Sequence, residues 1–239
     1  MHFCRLSMVL LAVAAVSVTA FPGGVAGLAG GVAGLPGGVA GRIVLLGDFD
    51  TGWELDWQQQ RLARRATRFR VADDAGDAVL RADSHEAAAA FWRRVEAGPA
   101  ETLTLSWRWR VSTLPMTRGH ERSRRGDDYA ARLLVAFDEG FLEGEARAIS
   151  YVWAHGEAVG ASYPNPYHRE VATLVLRNSE DGVGAWQLES RDVLADYQRL
   201  FGEPAEHIYA VAFIVDTDNT SSRVTSWLDE MVLSIPERP

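Results

Sequence analysis

Polar and apolar residues alternate most regularly over residues 102–111. Leu103, Leu105, Trp107, Trp109 and Val111 share one side; Thr104, Ser106, Arg108 and Arg110 share the other. This two-residue period marks a strand with one face on a core and the other toward solvent or a groove. Residues 126–137 also read as a strand, but an apolar one on both sides. Tyr129, Leu133, Val135 and Phe137 fall on one face; Ala130, Leu134 and Ala136 fall on the other, with Asp128 and Arg132. Such a strand is central in its sheet and covered on both faces. A guanidinium there needs a carboxylate, since an unpaired buried charge costs on the order of several kcal/mol. Arg132 is therefore expected between two layers of strands, held by acid groups from neighbouring segments.

Further strand patterns lie at 42–49, 147–153, 170–177, 186–189, 208–216 and 226–235. Residues 67–72 and 78–83 form a hairpin pattern around Asp73-Asp74-Ala75-Gly76. The Arg-rich stretch 58–68 reads as a helix turn or a solvated loop, and 117–126 as a charged loop. The alanines at 87–90 favour helix, yet their place between strand patterns argues against a long one. One helix stands out. Asp192 caps it, Val193, Tyr197, Leu200 and Phe201 recur at helical spacing, and Gly202 ends it with Pro204 beyond. Many short strands and one helix predict an all-β fold, a two-sheet antiparallel sandwich of jelly-roll type.

The N-terminus changes the setting. His2 and Arg5 precede an apolar run from Leu6 to Val18 and a small-residue Val18-Thr19-Ala20 cleavage pattern, as in a secretory signal peptide over 1–20. The run is short for a bilayer span, and no later stretch approaches one. The expected location is exported, in the periplasm or outside the cell. The seven-residue pattern Gly23-Gly24-Val25-Ala26-Gly27-Leu28-Ala29 repeats from Gly30. Residues 21–41 lack the bulk to offset their ordering entropy, so they read as a linker. A single domain over 42–236 remains.

The sole cysteine, Cys4, lies inside the signal pattern. Removing that segment excludes disulfides, thiolate zinc sites and cysteine nucleophiles. Every basic residue is Arg; without Arg5, 23 face 32 acidic residues, a net charge of −9. This balance argues against nucleic acid and against anionic membrane surfaces as partners. No nucleophile elbow, phosphate loop or dinucleotide fingerprint occurs.

The candidate ligand-binding residues are Asp127, Asp128, Arg132, Asn165, Tyr167, Arg191 and Asp216. Arg191 stands before Asp192, Asp196 and Tyr197, where a planar fork could meet a ligand; a helix cap with local polar contacts is the favoured reading. Pro164-Asn165-Pro166-Tyr167 is a rigid turn that could touch a ligand. Asp216, Asp218 and Asn219 offer oxygens to a hard cation, so a structural calcium is the one cofactor considered. A turn satisfying its own backbone N–H groups outweighs that reading, and Asp216 has a third use as a partner for Arg132. His155 and His168 lack partners at metal-binding offsets. Most of the eight Trp are assigned to the core; one or two in a groove could stack on sugar rings.

The succession Ser106-Trp107-Arg108-Trp109-Arg110-Val111, Asp127-Asp128-Tyr129-Ala130-Ala131-Arg132, Ile149-Ser150-Tyr151-Val152-Trp153, Asn165-Pro166-Tyr167, Arg191-Asp192-Val193, Phe201-Gly202 and Asp216-Thr217-Asp218-Asn219-Thr220 resembles the bacterial family domain of unknown function 3047. The likeness spans about residues 43–235. Trp227 departs from it, standing where a smaller aromatic is expected. More loosely, Gly47-Asp48-Phe49-Asp50 and the closing run from Trp227 to Leu233 resemble the first and last strands of jelly-roll carbohydrate-binding modules, which often hold a structural calcium near their paired termini. Fold alone does not give function. The expectation is a non-catalytic exported module for a glycan or similar polar ligand. Its alternatives are a hydrolase or lyase acting on polysaccharide or cell wall, and a purely structural envelope domain.

Overall fold

The strand patterns pair into two sheets in a computed structural model that describes residues 41–50, 52–53, 56–100, 102–116, 121–141 and 145–236. The signal-peptide reading over 1–20 and the linker reading over 21–41 lie outside the described residues except at Gly41, which opens the first strand. In chain order the strands are β1 (Gly41–Gly47), β2 (Gln58–Arg61), β3 (Arg68–Asp74), β4 (Asp77–His85), β5 (Ala88–Ala97), β6 (Thr104–Val111), β7 (Ala131–Ala136), β8 (Ala148–Trp153), β9 (Ser162–Pro164), β10 (Val171–Arg177), β11 (Gln187–Asp192), β12 (Ile208–Asp216) and β13 (Arg223–Pro236). The helix α1 (Val193–Phe201) follows β11. The first sheet has six strands in the order β11-β6-β13-β4-β3, with β1 also paired to β13. The second has seven, in the order β2-β5-β12-β7-β8-β10-β9.

The two sheets meet through the apolar side of each strand. Trp107 and Trp109 of β6 face Tyr151 and Trp153 of β8, with ring centroids 5.6 and 6.0 Å apart. All four side chains are fully buried, and each contributes roughly 1.5–3 kcal/mol of apolar burial. Leu133, Val135, Phe213 and Leu228 join the same cluster. Asp192 caps α1 by accepting from the N–H groups of Leu194 and Ala195, and Gly202 closes it in the left-handed region at φ 77°. At the far end, β1 runs antiparallel to β13 with Gly41 opposite Pro236. Among the described residues, no helix is long and apolar enough to cross a membrane.

Several expectations change. Residues 58–61 are neither helix turn nor loop but the edge strand β2, whose side chains stay exposed while its backbone pairs with β5. The alanines after Ala87 begin β5, because extended pairing with β12 outweighs helix propensity. β9 is too short to show a period, and its partner β10 runs parallel to β8, so the second sheet is mixed.

The strand containing Arg132 is indeed central, fourth of seven. Its faces differ from the expected ones. Leu133 and Val135 point to the inter-sheet core, whereas Tyr129 packs with Val152 and Tyr163 on the outer side. Alternation therefore breaks before β7 begins. Arg132 is also on that outer side rather than between the layers: its centre lies 4.6 Å from the Tyr129 ring centroid. The sequence could not separate the two faces because both are apolar.

Candidate binding site on the outer face of the seven-stranded sheet

Register aligns one residue from every strand of the second sheet. Gln58 of β2 is opposite Trp92 of β5, Trp92 opposite Ala212 of β12, and Ala212 opposite Leu134 of β7. Leu134 is then opposite Ser150 of β8, Ser150 beside Thr173 of β10, and Thr173 opposite Tyr163 of β9. The row runs straight across the sheet, with neighbouring strands about 4.8 Å apart. Between its aromatic members, Trp92 and Tyr163, stand Ala212, Leu134, Ser150 and Thr173. Ser150 and Thr173 face away from the inter-sheet core, since Tyr151 and Leu174 point into it. Both are fully buried, and neither hydroxyl has a hydrogen-bond partner. Buried polar atoms are nearly always paired, so two adjacent exceptions call for a cause.

Two residues along β7 from Leu134, and so on the same face, Arg132 adds a third such atom: its Nε is buried and unpartnered. The rest of its guanidinium is held by acids. Nη2 donates to Asp216 Oδ2 at 3.1 Å, Asp127 Oδ1 at 3.3 Å and the Asp127 carbonyl at 3.4 Å. Asp216 Oδ1 accepts from the Tyr129 N–H at 2.6 Å, and Asn165 Nδ2 donates to both oxygens of Asp127 at 3.2 and 3.0 Å. Asn165 in turn accepts through Oδ1 from the Tyr167 and His168 N–H groups, which fixes the Pro164-Asn165-Pro166 turn. Four of the predicted residues, Asp127, Arg132, Asn165 and Asp216, thus meet in one network.

Asp128, expected beside Arg132, instead ties down the loop after β12. It accepts from the Asn219 N–H and Nδ2 and from the Thr220 N–H and Oγ1. Tyr167 is 43% exposed at the rim, its hydroxyl 2.9 Å from the Arg124 carbonyl and 3.2 Å from Asn219 Oδ1. Arg191 stands apart. Its Nε and Nη2 donate to Asp196 at 2.8 and 2.6 Å at the start of α1. Of the residues suggested for a cation, Asp216 serves Arg132 and Tyr129, and Asn219 serves Asp128 and Tyr167. Among the described residues, no group of three or more His, Cys, Asp or Glu could hold a metal ion.

Burial governs the titration of the network. It pushes the Asp216 carboxyl well above its ordinary range and raises Asp127 too, against the opposing pull of Arg132. Burial also opposes the charge on Arg132, but Asp127 and Asp216 outweigh it and hold the guanidinium protonated. The Tyr163 hydroxyl, pushed up to about 12 chiefly by burial, stays neutral and pairs with the Tyr129 hydroxyl at 2.9 Å.

Sequence reasoning missed Ser150, Thr173, the Tyr129–Tyr163 pair and Glu121. Ser150 and Thr173 carried a usable signal, a lone hydroxyl in the middle of strands apolar on both faces. Glu121 is not a solvated loop charge: it accepts from the N–H groups of His155, Gly156 and Glu157 and anchors the turn after β8.

Residues 55–232 match the family described as Protein of unknown function (DUF3047). The chain belongs to that family. No curated protein matches this DUF3047 chain significantly. Similar solved structures include the cellulose induced protein Cip1, at 12% identity and TM-score 0.48, covering 78% of this chain and 95% of that one. Another is the family 11 carbohydrate-binding module of the cellulosomal cellulase Lic26A-Cel5E of Clostridium thermocellum, at 10% identity and TM-score 0.46, covering 84% and 97%. A third is a non-crystalline cellulose specific carbohydrate-binding module, CBM28, at 11% identity and TM-score 0.41, covering 79% and 92%.

Proposed function

We propose that this DUF3047 chain is an exported, non-catalytic binding module for a glycan or similar polar ligand, held on the outer face of the seven-stranded sheet. The observation that carries this reading is the aligned row with two adjacent buried hydroxyls that lack partners, between Trp92 and Tyr163. Sugar rings suit such a row because they combine apolar faces for aromatic contact with hydroxyls for hydrogen bonding.

The charged residues support binding over hydrolysis. Asp127 and Asp216 accept from the same Arg132 nitrogen, so they flank a guanidinium rather than a substrate-sized gap. A glycosidase pair instead stands across the scissile bond, with one member free to give a proton. The Asp127–Arg132–Asp216 network serves here as a buried support for the face, and the ligand reading rests on the hydroxyl row. A glycan array probed with the purified exported protein tests it. Binding to a defined set of glycans is the expected result; a blank array overturns the proposal.

A further inference from the structure

Resting on that reading, we infer that Arg132 Nε, Ser150 Oγ and Thr173 Oγ1 form a three-point polar subsite for the hydroxyl groups of an uncharged sugar. Each of these atoms belongs to a side chain that is at least nine-tenths buried, and each lacks a partner. Ser150 and Thr173 are register partners on the adjacent strands β8 and β10, yet their hydroxyls do not bond to each other. An unpaired buried hydroxyl is destabilising in the free protein. A ligand oxygen that donates to one hydroxyl and accepts from the other removes that defect at both. Arg132 stands diagonally across from Ser150, since β7 pairs Leu134 with Ser150 and Arg132 with Val152. Its Nε–H can only donate, so it calls for a second acceptor oxygen. Two hydroxyl oxygens on neighbouring ring carbons meet both demands.

Charge selects the class of sugar. Arg132 is already shared by Asp127 and Asp216. A uronate buried there would find no counter-charge of its own, because the guanidinium is already met by these two acids, whereas a neutral sugar brings no charge to bury.

Calorimetric titration of the exported protein with a panel of neutral oligosaccharides and their uronic-acid counterparts tests the subsite. The same titrations are run on Ser150→Ala, Thr173→Val and Thr173→Ser, with thermal midpoints measured without ligand. The expected result is neutral-sugar binding weakened about tenfold in S150A and T173V, and kept in T173S. The melting temperature of S150A and T173V is expected to stay level or rise, because each removes an unsatisfied buried hydroxyl. Wild-type binding that both variants retain overturns the subsite while leaving the binding module standing. Tighter binding of uronates than of neutral sugars, or lost binding with a fall in melting temperature, also overturns it. A wild-type protein that binds nothing in the panel overturns both proposals.

Discussion

Two buried acid–guanidinium clusters in this sandwich titrate in opposite directions. At the start of α1, the Asp196 carboxylate accepts from Arg191 at 2.8 and 2.6 Å, from Arg199 at 3.0 Å and from the Tyr151 hydroxyl at 2.9 Å. Burial works against its charge, but these donors win and hold its carboxyl below the ordinary range. Beneath the loops of the seven-stranded sheet the ratio is reversed. There one nitrogen of Arg132 serves both Asp127 and Asp216, burial wins, and both carboxyls rise. The number of donors per carboxylate, rather than depth alone, decides which way a buried acid moves. The first cluster reads as a staple. The second holds its members together at a cost, the pattern of a region shaped by more than stability.

The sharpest way to break the comparison is Arg132→Met. Two acids would lose their only shared cation under cover, and a loss of about 3–5 kcal/mol is expected from the denaturant midpoint. Asp196→Ala should cost less, roughly 2 kcal/mol, because Arg191 and Arg199 are partly exposed and can turn to water. Equal losses would erase the distinction.

Acidity separates the clusters by sign. Asp196 has a lowered folded value, so its stabilisation is present above the unfolded value of 3.8 and is lost as pH falls through the folded one. The penalty of Asp196→Asn should therefore shrink below pH 3.8. Asp216 is raised above 3.8, so its contribution is largest below that value and fades as pH rises through the folded one. The penalty of Asp216→Asn should shrink in the other direction, toward neutral pH. Denaturant midpoints measured from acid to neutral pH check both; parallel curves would refute the contrast.

The smallest effect concerns cations. A metal at Asp216, Asp218 and Asn219 would have to displace Arg132 from Asp216. Chelator is therefore expected to leave the melting temperature unchanged, and a drop of several degrees would show that these oxygens take a cation after all.

How much of this was legible follows from distance along the chain. The Asp196 cluster is local, with Asp192 and Gly202 delimiting the helix and Arg191 five residues from its partner. Its outline was therefore readable from spacing. β6 and the central place of β7 were readable for the same reason, because alternation is a property of one segment. The partner of Arg132 was harder: Asp216 lies 84 positions away, and the adjacent Asp127 and Asp128 diverge to different loops. The hydroxyl row was out of reach. It depends on the register of seven strands, including the parallel match of β8 with β10, and no periodicity within a strand specifies its neighbour's register.

The pairing of Gly41 with Pro236 bears on how this domain responds to mechanical load. Force drawing those two positions apart falls on the β1–β13 ladder from its open end, so its hydrogen bonds break in succession instead of resisting together. Tension between Gly41 and the hydroxyl row is directed through the β13 ladder and the aromatic interior, a stiffer route. A load applied at that row against the N-terminal side would engage this second axis.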